Sequence, residues 1–254
     1  MSAPARPLEG RVAIVTGAGG GLGAGICQSL AAAGAKIACV GRTPASIEST
    51  AQLVTSAGGA AIPVVCDISQ PDQVGAMIDS VVDEFGGIDV LVNNAAVYAR
   101  RAWTEITPEE LDDILATNLK GYFLCAQAAF PHLKASGHGR IINVSSVTFF
   151  GGTTMLLDYV ASKGGIVGFT RALAREIGPE GVTVNTISPG AFPTDAEKIH
   201  PDPEGYNQHI LDLQAIKRRG TPDDIGNLVV FLAGDMASFI TGQLIEIDGG
   251  WVMH

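Results

Sequence analysis

Positive charge is scarce in this chain: sixteen lysines and arginines stand against 26 acidic residues, a formal net charge of -10 at pH 7. That balance speaks against an electrostatic grip on nucleic acid or on an anionic membrane surface and serves solubility instead. No window approaches the ~20 apolar residues that a transmembrane helix needs. The opening MSAPARPLEGR lacks an apolar h-region, so no secretory signal is read and a cytoplasmic protein is expected. Cysteine is sparse as well. Cys27, Cys39, Cys66 and Cys125 lie among apolar residues, with no C-x-x-C and no histidine-rich partners. Reduced core thiols are expected there, with no zinc site, no disulfide framework and no metal. Charged residues make up only 17% of the 254 positions and hydrophobic ones 46%, which excludes a disordered chain and fills a large core. Linkers, low-complexity tracts and long repeats are also missing, so residues 1–254 read as one domain.

What is present is alternation. VAIVTG, KIACVG, IPVVCD, IDVLVNNA, RIINVSS, VTVNTISPG and QLIEIDGG are short, rich in Val and Ile, and end on turn residues, as buried strands do. Longer helical stretches separate them, several opening near Pro and closing on Gly. The stretch PEELDDILATNLKGYFLCAQAAF reads as one helix. Strand and helix in alternation predict an α/β, Rossmann-type doubly wound sheet of about seven parallel strands. The rhythm breaks at about 190–220, which is too long for a simple connection and is expected to form a partly helical flap over a site.

Two local patterns carry chemistry. After the first strand, TGAGGGLGAG sets Gly17, Gly21 and Gly23 at a strand-to-helix turn. There the bare backbone can approach a pyrophosphate at a helix N-terminus, where free N–H groups and the dipole favour an anion. No G-x-x-x-x-G-K-[ST] occurs, so a dinucleotide is the better ligand than a triphosphate. The second pattern is YVASK, with Tyr159 and Lys163 four residues apart on one helix face. An ammonium below a phenol favours the phenolate, so the lysine is expected to lower the tyrosine's pKa and fit it for proton transfer. Alone, such a pair is usually a surface feature.

TGAGGGLG at 16–23, NNAA at 93–96, Asn118, SS at 145–146, YVASK at 159–163 and PGAFPT at 189–194 occur in that order. In this combination the chain resembles the short-chain dehydrogenase/reductase family over essentially its full length. The resemblance implies an NAD(P)-dependent oxidoreductase that moves a hydride between nicotinamide and an alcohol or carbonyl carbon. It implies a catalytic tetrad of Asn118, Ser146, Tyr159 and Lys163, the serine thirteen residues before the tyrosine being Ser146 rather than Ser145. Tyr159 would donate or accept the proton. Ser146 would, with Tyr159, bind the substrate oxygen, and Lys163 would also hold the nicotinamide ribose. Asn118 would anchor a water leading from Lys163 to solvent. Cofactor contacts are implied at Gly17, Gly21, Leu22, Gly23, Arg42, Asp67, Ile68, Asn94, Tyr159, Lys163 and Thr194. The chain departs from the family at Ala96, where glycine is usual; the extra methyl is expected to be tolerated.

At the end of the second strand, where NAD-using relatives place a carboxylate, this chain has Gly41 followed by Arg42. A guanidinium without a repelling carboxylate favours NADP(H), with NAD(H) the alternative. Asp67 would contact the adenine amino group or simply hold the turn before SQPDQ. The apolar VTFFGGTTMLLD offers Phe149, Phe150, Met155 and Leu156 as pocket walls, with Tyr98 and Phe192 opposite, or as plain packing. TFFGG, ITGQ, DGG and the terminal MH resemble a subgroup that includes pyridoxal and phenylethanol dehydrogenases, which implies an aromatic or cyclic secondary alcohol/ketone pair. The alternative is a 3-oxoacyl thioester reductase. Docking an acidic carrier protein would need a basic patch, for which only Arg100–Arg101 and Lys217–Arg219 qualify. Outside enzymes, a nucleotide-binding regulator would be expected to show a broken tetrad, and this one is intact. The apolar helix faces, with the family resemblance, imply a homotetramer, with Trp251 at a second interface.

Overall fold

The computed structural model describes residues 6–194, 197 and 202–253. Its centre is a seven-stranded, wholly parallel sheet in the order β3-β2-β1-β4-β5-β6-β7. The chain runs through β1 (Val12–Thr16), α1 (Gly21–Ala32), β2 (Lys36–Gly41), α2 (Pro44–Ser56), β3 (Ala60–Val65), α3 (Pro71–Phe85) and β4 (Val90–Asn93). It continues through α4 (Pro108–Leu115), α5 (Gly121–Ser136), β5 (Arg140–Val144), the single turn α6 (Thr148–Gly151), α7 (Leu157–Ile177) and β6 (Thr183–Pro189). The last elements are α8 (Pro203–Leu213), α9 (Pro222–Ala233) and β7 (Leu244–Ile247). All seven expected strands are therefore present.

Alternation along each strand feeds two cores. Ala13 and Val15 of β1 and Val90 and Val92 of β4 face the layer holding α1, α2 and α9, where Ile26, Leu30, Ile47 and Val229 meet them. Val12, Ile14 and Leu91 face the other layer, against Met77, Val81, Tyr122, Leu133 and Ile166. Burial on both faces explains why the strands read as continuous apolar runs. The four cysteines are buried and unbonded, as expected of core thiols, and Cys39 Sγ lies 3.8 Å from Cys27 Sγ. Proline at the first turn and capping boxes at Thr107 with Glu110 and at Thr221 with Asp224 fix where α4 and α9 begin.

One expectation is changed, and the partly helical reading of residues 190–220 is met by helix α8. The stretch from Pro108 is not one regular helix: α4 ends at Leu115, residues Ala116–Lys120 form a wider π-turn, and α5 follows. The 190–220 stretch contains α8, capped by Asp202 accepting from Gly205 N at 2.9 Å. Residues 195, 196 and 198–201 of that stretch, and the terminal His254, lie outside the described residues. Among the described residues, no helix is long and apolar enough to cross a membrane.

Candidate active site

The site forms where the sheet order reverses, between the C-terminal ends of β1 and β4, the usual ligand crevice of such sheets. β1 ends on Thr16, whose hydroxyl accepts from Asn94 N at 2.9 Å; the Asn94 amide donates to Thr16 O at 2.9 Å and Gly17 O at 3.2 Å. The glycine turn is thereby fastened to the end of β4. Gly17 has φ +68°, and a Cβ there would stand 2.7 Å from Ala95 Cα. A Cβ on Gly23 would collide with the Gly17 carbonyl. Only glycine fits both places, so the α1 N-terminus stays open as a backbone cradle. Gly21, Leu22 and Thr194 line one cleft of about 380 Å³ with Phe192, Pro193, Glu197, Gly220 and Pro222. These residues fit a dinucleotide pyrophosphate.

Not every expected contact faces that cleft. The Ile68 side chain is buried against Gly121 of α5, so only its backbone is left to meet a ligand. Asp67 is a turn residue: its carboxylate accepts from Ser69 N at 3.0 Å and Ser69 Oγ at 2.8 Å. Ser69 and the nearby positive charge of Arg42 hold that carboxyl below the usual range against the opposing effect of burial. Arg42 is exposed at the end of β2. Ala96 is exposed and does not need positive φ, which accounts for its tolerance.

The tetrad converges. Lys163 is 1% exposed; its Nζ donates to Val144 O at 2.8 Å and lies 5.4 Å from the Tyr159 ring and 5.7 Å from the Tyr122 ring. Ser146 shares a side-chain hydrogen bond with Tyr159, while its Oγ accepts from Thr148 Oγ1 at 3.0 Å. Ser145 turns the other way and donates to Lys163 O at 2.9 Å, so it anchors α7 and leaves the site to Ser146. Asn118 sits in the π-turn with its amide fully buried. Its Oδ1 accepts from Val97 N at 2.8 Å, and its Nδ2 donates to Val97 O at 2.9 Å and Ser162 Oγ at 3.1 Å. Here the side chain clamps the segment after β4 to α7.

The expected effect of Lys163 on Tyr159 is overturned. Burial pushes the Tyr159 phenol up to about 12; the Ser146 hydrogen bond opposes this and the neighbouring Tyr98 adds to it. Burial also pulls the Lys163 amine down to about 7. An ammonium with one carbonyl partner in a dry site loses charge rather than imposing it on its neighbour. Spacing alone conceals this, because desolvation comes from the surrounding fold.

Of the proposed pocket walls, Leu156 is buried in packing, Phe192 is largely buried where it lines the cleft beside Thr194, and Phe149 rests on Gly164 of α7. Phe150 packs against Phe149 in a tilted pair, 5.0 Å between ring centroids. Met155 is half exposed, and the Tyr98 ring lies 5.6 Å from that of Tyr159, tilted 58°. Sequence reading missed Ser162 and Thr148, the partners of Asn118 and Ser146. It also missed a buried ladder in which Asn93 donates to Asn143 at 2.9 Å, Asn143 to Thr170 at 2.9 Å, and Thr186 to Thr170 at 2.6 Å. The ladder ties β4, β5 and β6 to α7, the helix that carries Tyr159 and Lys163. Polar residues inside strand-like runs were its only signal.

Known proteins match this arrangement throughout. A family model described as Enoyl-(Acyl carrier protein) reductase matches residues 17–252. The chain is 40% identical over 244 residues to the short-chain reductase protein NovJ of Streptomyces niveus, covering 94% of this chain and 93% of that one. It is 38% identical over 249 residues to the 3-oxoacyl-[acyl-carrier-protein] reductase FabG of Vibrio cholerae, covering 97% and 99%. A solved structure from Sinorhizobium meliloti, assigned provisionally as a short-chain alcohol dehydrogenase, superposes with a TM-score of 0.93 at 37% identity, covering 98% of each chain. Sheet order, glycine cradle, tetrad and relatives agree: the chain belongs to the short-chain dehydrogenase/reductase family and is an NAD(P)-dependent oxidoreductase.

Proposed function

We propose that this chain interconverts a secondary alcohol and a ketone on a cyclic or aromatic compound, with NADP(H) as hydride partner. The observation that carries the reading is the Tyr98 ring. It stands beside the Tyr159 ring yet remains 39% exposed, a flat wall at the position a reacting ring would occupy. Nicotinamide, when bound, supplies or accepts the hydride. Tyr159 holds the proton that the new alkoxide takes in reduction, and accepts it back in oxidation. Ser146 donates to the substrate oxygen as negative charge grows there. Lys163 keeps N–H donors beyond the one given to Val144 O for the ribose hydroxyls. Asn118 holds the Val97 segment and α7 at a fixed distance, and the water expected on it would run beside that clamp. Arg42, with no carboxylate at Gly41, supports the choice of NADP(H).

A second reading, reduction of a 3-oxoacyl thioester, has support in the name of the Vibrio cholerae relative. Charge pairing opposes it. Arg101 pairs with Glu110, Arg218 with Asp224 and Arg219 with Glu197, and Lys217 Nζ donates to the carbonyls of Leu211, Asp212 and Gln214. Little of the basic patch remains for an acidic carrier. Initial rates on ring ketones and on short 3-oxoacyl thioesters, each with NADPH and NADH, separate the two. Ring ketones with NADPH should give the highest kcat/KM; thioesters outpacing every ring ketone would reverse the assignment.

A further inference from the structure

Two positions beyond the exposed Tyr98 ring lies a cation that has no ion-pair partner among the described residues. Arg100 is exposed and has no hydrogen bond or ion pair among the described residues, whereas its neighbour Arg101 is held by Glu110. The Arg101 N–H donates to Met155 O at 2.9 Å, fastening this segment to the approach to α7, and the Tyr98 ring of the same segment lies 5.6 Å from that of Tyr159. The Arg100 charge favours the ionised forms of both Tyr98, on the segment after β4, and Tyr206, on helix α8, against the larger opposing effect of burial. The carboxylate on that side, Glu197, is paired with Arg219, whose guanidinium also donates to Ala191 O and lies 5.8 Å from the Tyr206 ring. Among the described residues Arg219 is thus paired with Glu197 while Arg100 keeps its charge, in a chain whose net charge is -10.

We propose that the substrate carries a carboxylate on a carbon away from its reacting centre, and that Arg100 binds it and so determines specificity. This rests on the secondary alcohol/ketone reading above and adds an anionic class to it. A single guanidinium fork matches a carboxylate in shape and charge. A phosphate dianion would place excess negative charge beside Glu197 and is disfavoured.

The test uses oxocyclohexane carboxylic acid, its methyl ester and a hydroxycyclohexanone phosphate, assayed with wild type, Arg100→Met and Arg100→Lys at saturating NADPH. In wild type the acid should exceed its ester in kcat/KM by about tenfold to a hundredfold, the range of a charge-assisted contact. That ratio should fall toward one in Arg100→Met and recover in part in Arg100→Lys. Thermal-shift titration of the same acid with the NADP⁺-bound protein should show the same weakening in Arg100→Met without relying on turnover. An unchanged acid-to-ester ratio in Arg100→Met, an ester preferred by wild type, or a phosphate preferred over the acid each overturns the proposal. If only open-chain oxo acids turn over, with the Arg100 dependence intact, the ring preference fails and the carboxylate site stands.

Discussion

Replacing Lys163 with methionine should make the nucleotide-free protein more stable while abolishing its activity. The amine is 1% exposed, has the Val144 carbonyl as its hydrogen-bond partner, and no carboxylate pairs with it among the described residues. Burial lowers its pKa from 10.5 to about 7. At ~1.36 kcal/mol per pH unit, that fall of roughly 3.5 means about 5 kcal/mol against holding the charge in the fold. Below pH 7 both folded and unfolded chains carry the proton, so the penalty is present in full. Between pH 7 and 10.5 the unfolded chain binds one more proton than the folded one, so stability rises with pH; above 10.5 the penalty is gone. Methionine of similar length removes it but leaves Val144 O short of a partner, at about 1–3 kcal/mol. The Tyr122 hydroxyl still donates to that oxygen at 3.4 Å, softening the loss. Lys163→Met should therefore gain about 2–4 kcal/mol at pH 6, read by urea unfolding at fixed protein concentration, and the gain should vanish by pH 10. A variant less stable than wild type at pH 6, with a difference that does not move between pH 6 and 9, refutes the reasoning.

Tyr159→Phe removes only the proton-bearing oxygen, so nucleotide binding by fluorescence titration should survive while kcat falls by at least about 10²–10⁴-fold. Because burial raises the phenol to about 12, alcohol oxidation should quicken roughly tenfold per pH unit from pH 7 to 9, while ketone reduction, which uses the neutral phenol, stays flat over that range. Stopped assays in both directions check this; an oxidation rate independent of pH would remove Tyr159 as the base. Arg42→Ala should raise the KM for NADPH about tenfold or more and leave that for NADH nearly unchanged, and Gly41→Asp should favour NADH. If wild type prefers NADH and Arg42→Ala does not alter that, the guanidinium is a bystander. Phe123 on α5 is half exposed, and sedimentation at micromolar concentration should show a tetramer; a stable monomer would contradict the expected helix interface.

The fold was legible because its signals are local. Val12 to Val15, buried on both faces, could only read as a continuous apolar run, and Gly17 and Gly23 stand where any side chain would collide. The proposed tetrad was legible through the family resemblance, whose thirteen-residue spacing to Tyr159 favoured Ser146 over Ser145. What escaped depends on distant partners. The π-turn accompanies an Asn118 clamp whose partners, Val97 and Ser162, are 21 and 44 residues away, beyond any helical periodicity. Lys163 reads as a cation in sequence, and only the surrounding core weakens its charge. The arginines at 100 and 101 look equivalent until Glu110 takes one of them.

The π-turn at Ala116–Lys120 also determines how the chain tolerates a change of length. A π-turn is what an α-helix makes of one surplus residue, absorbing it in a bulge so that the helix on either side keeps its phase. Deleting Thr117 should let α4 and α5 join as one regular helix, with Tyr122, Cys125 and Ala129 still turned into the core. The shortened chain would keep its fold, but Asn118 would lose the widened loop from which its amide reaches Val97 and Ser162. Elsewhere in α5 the loss of one residue rotates the inward face by about 100° and disrupts the core. A one-residue gap at this turn would thus separate the ability to fold from the ability to catalyse.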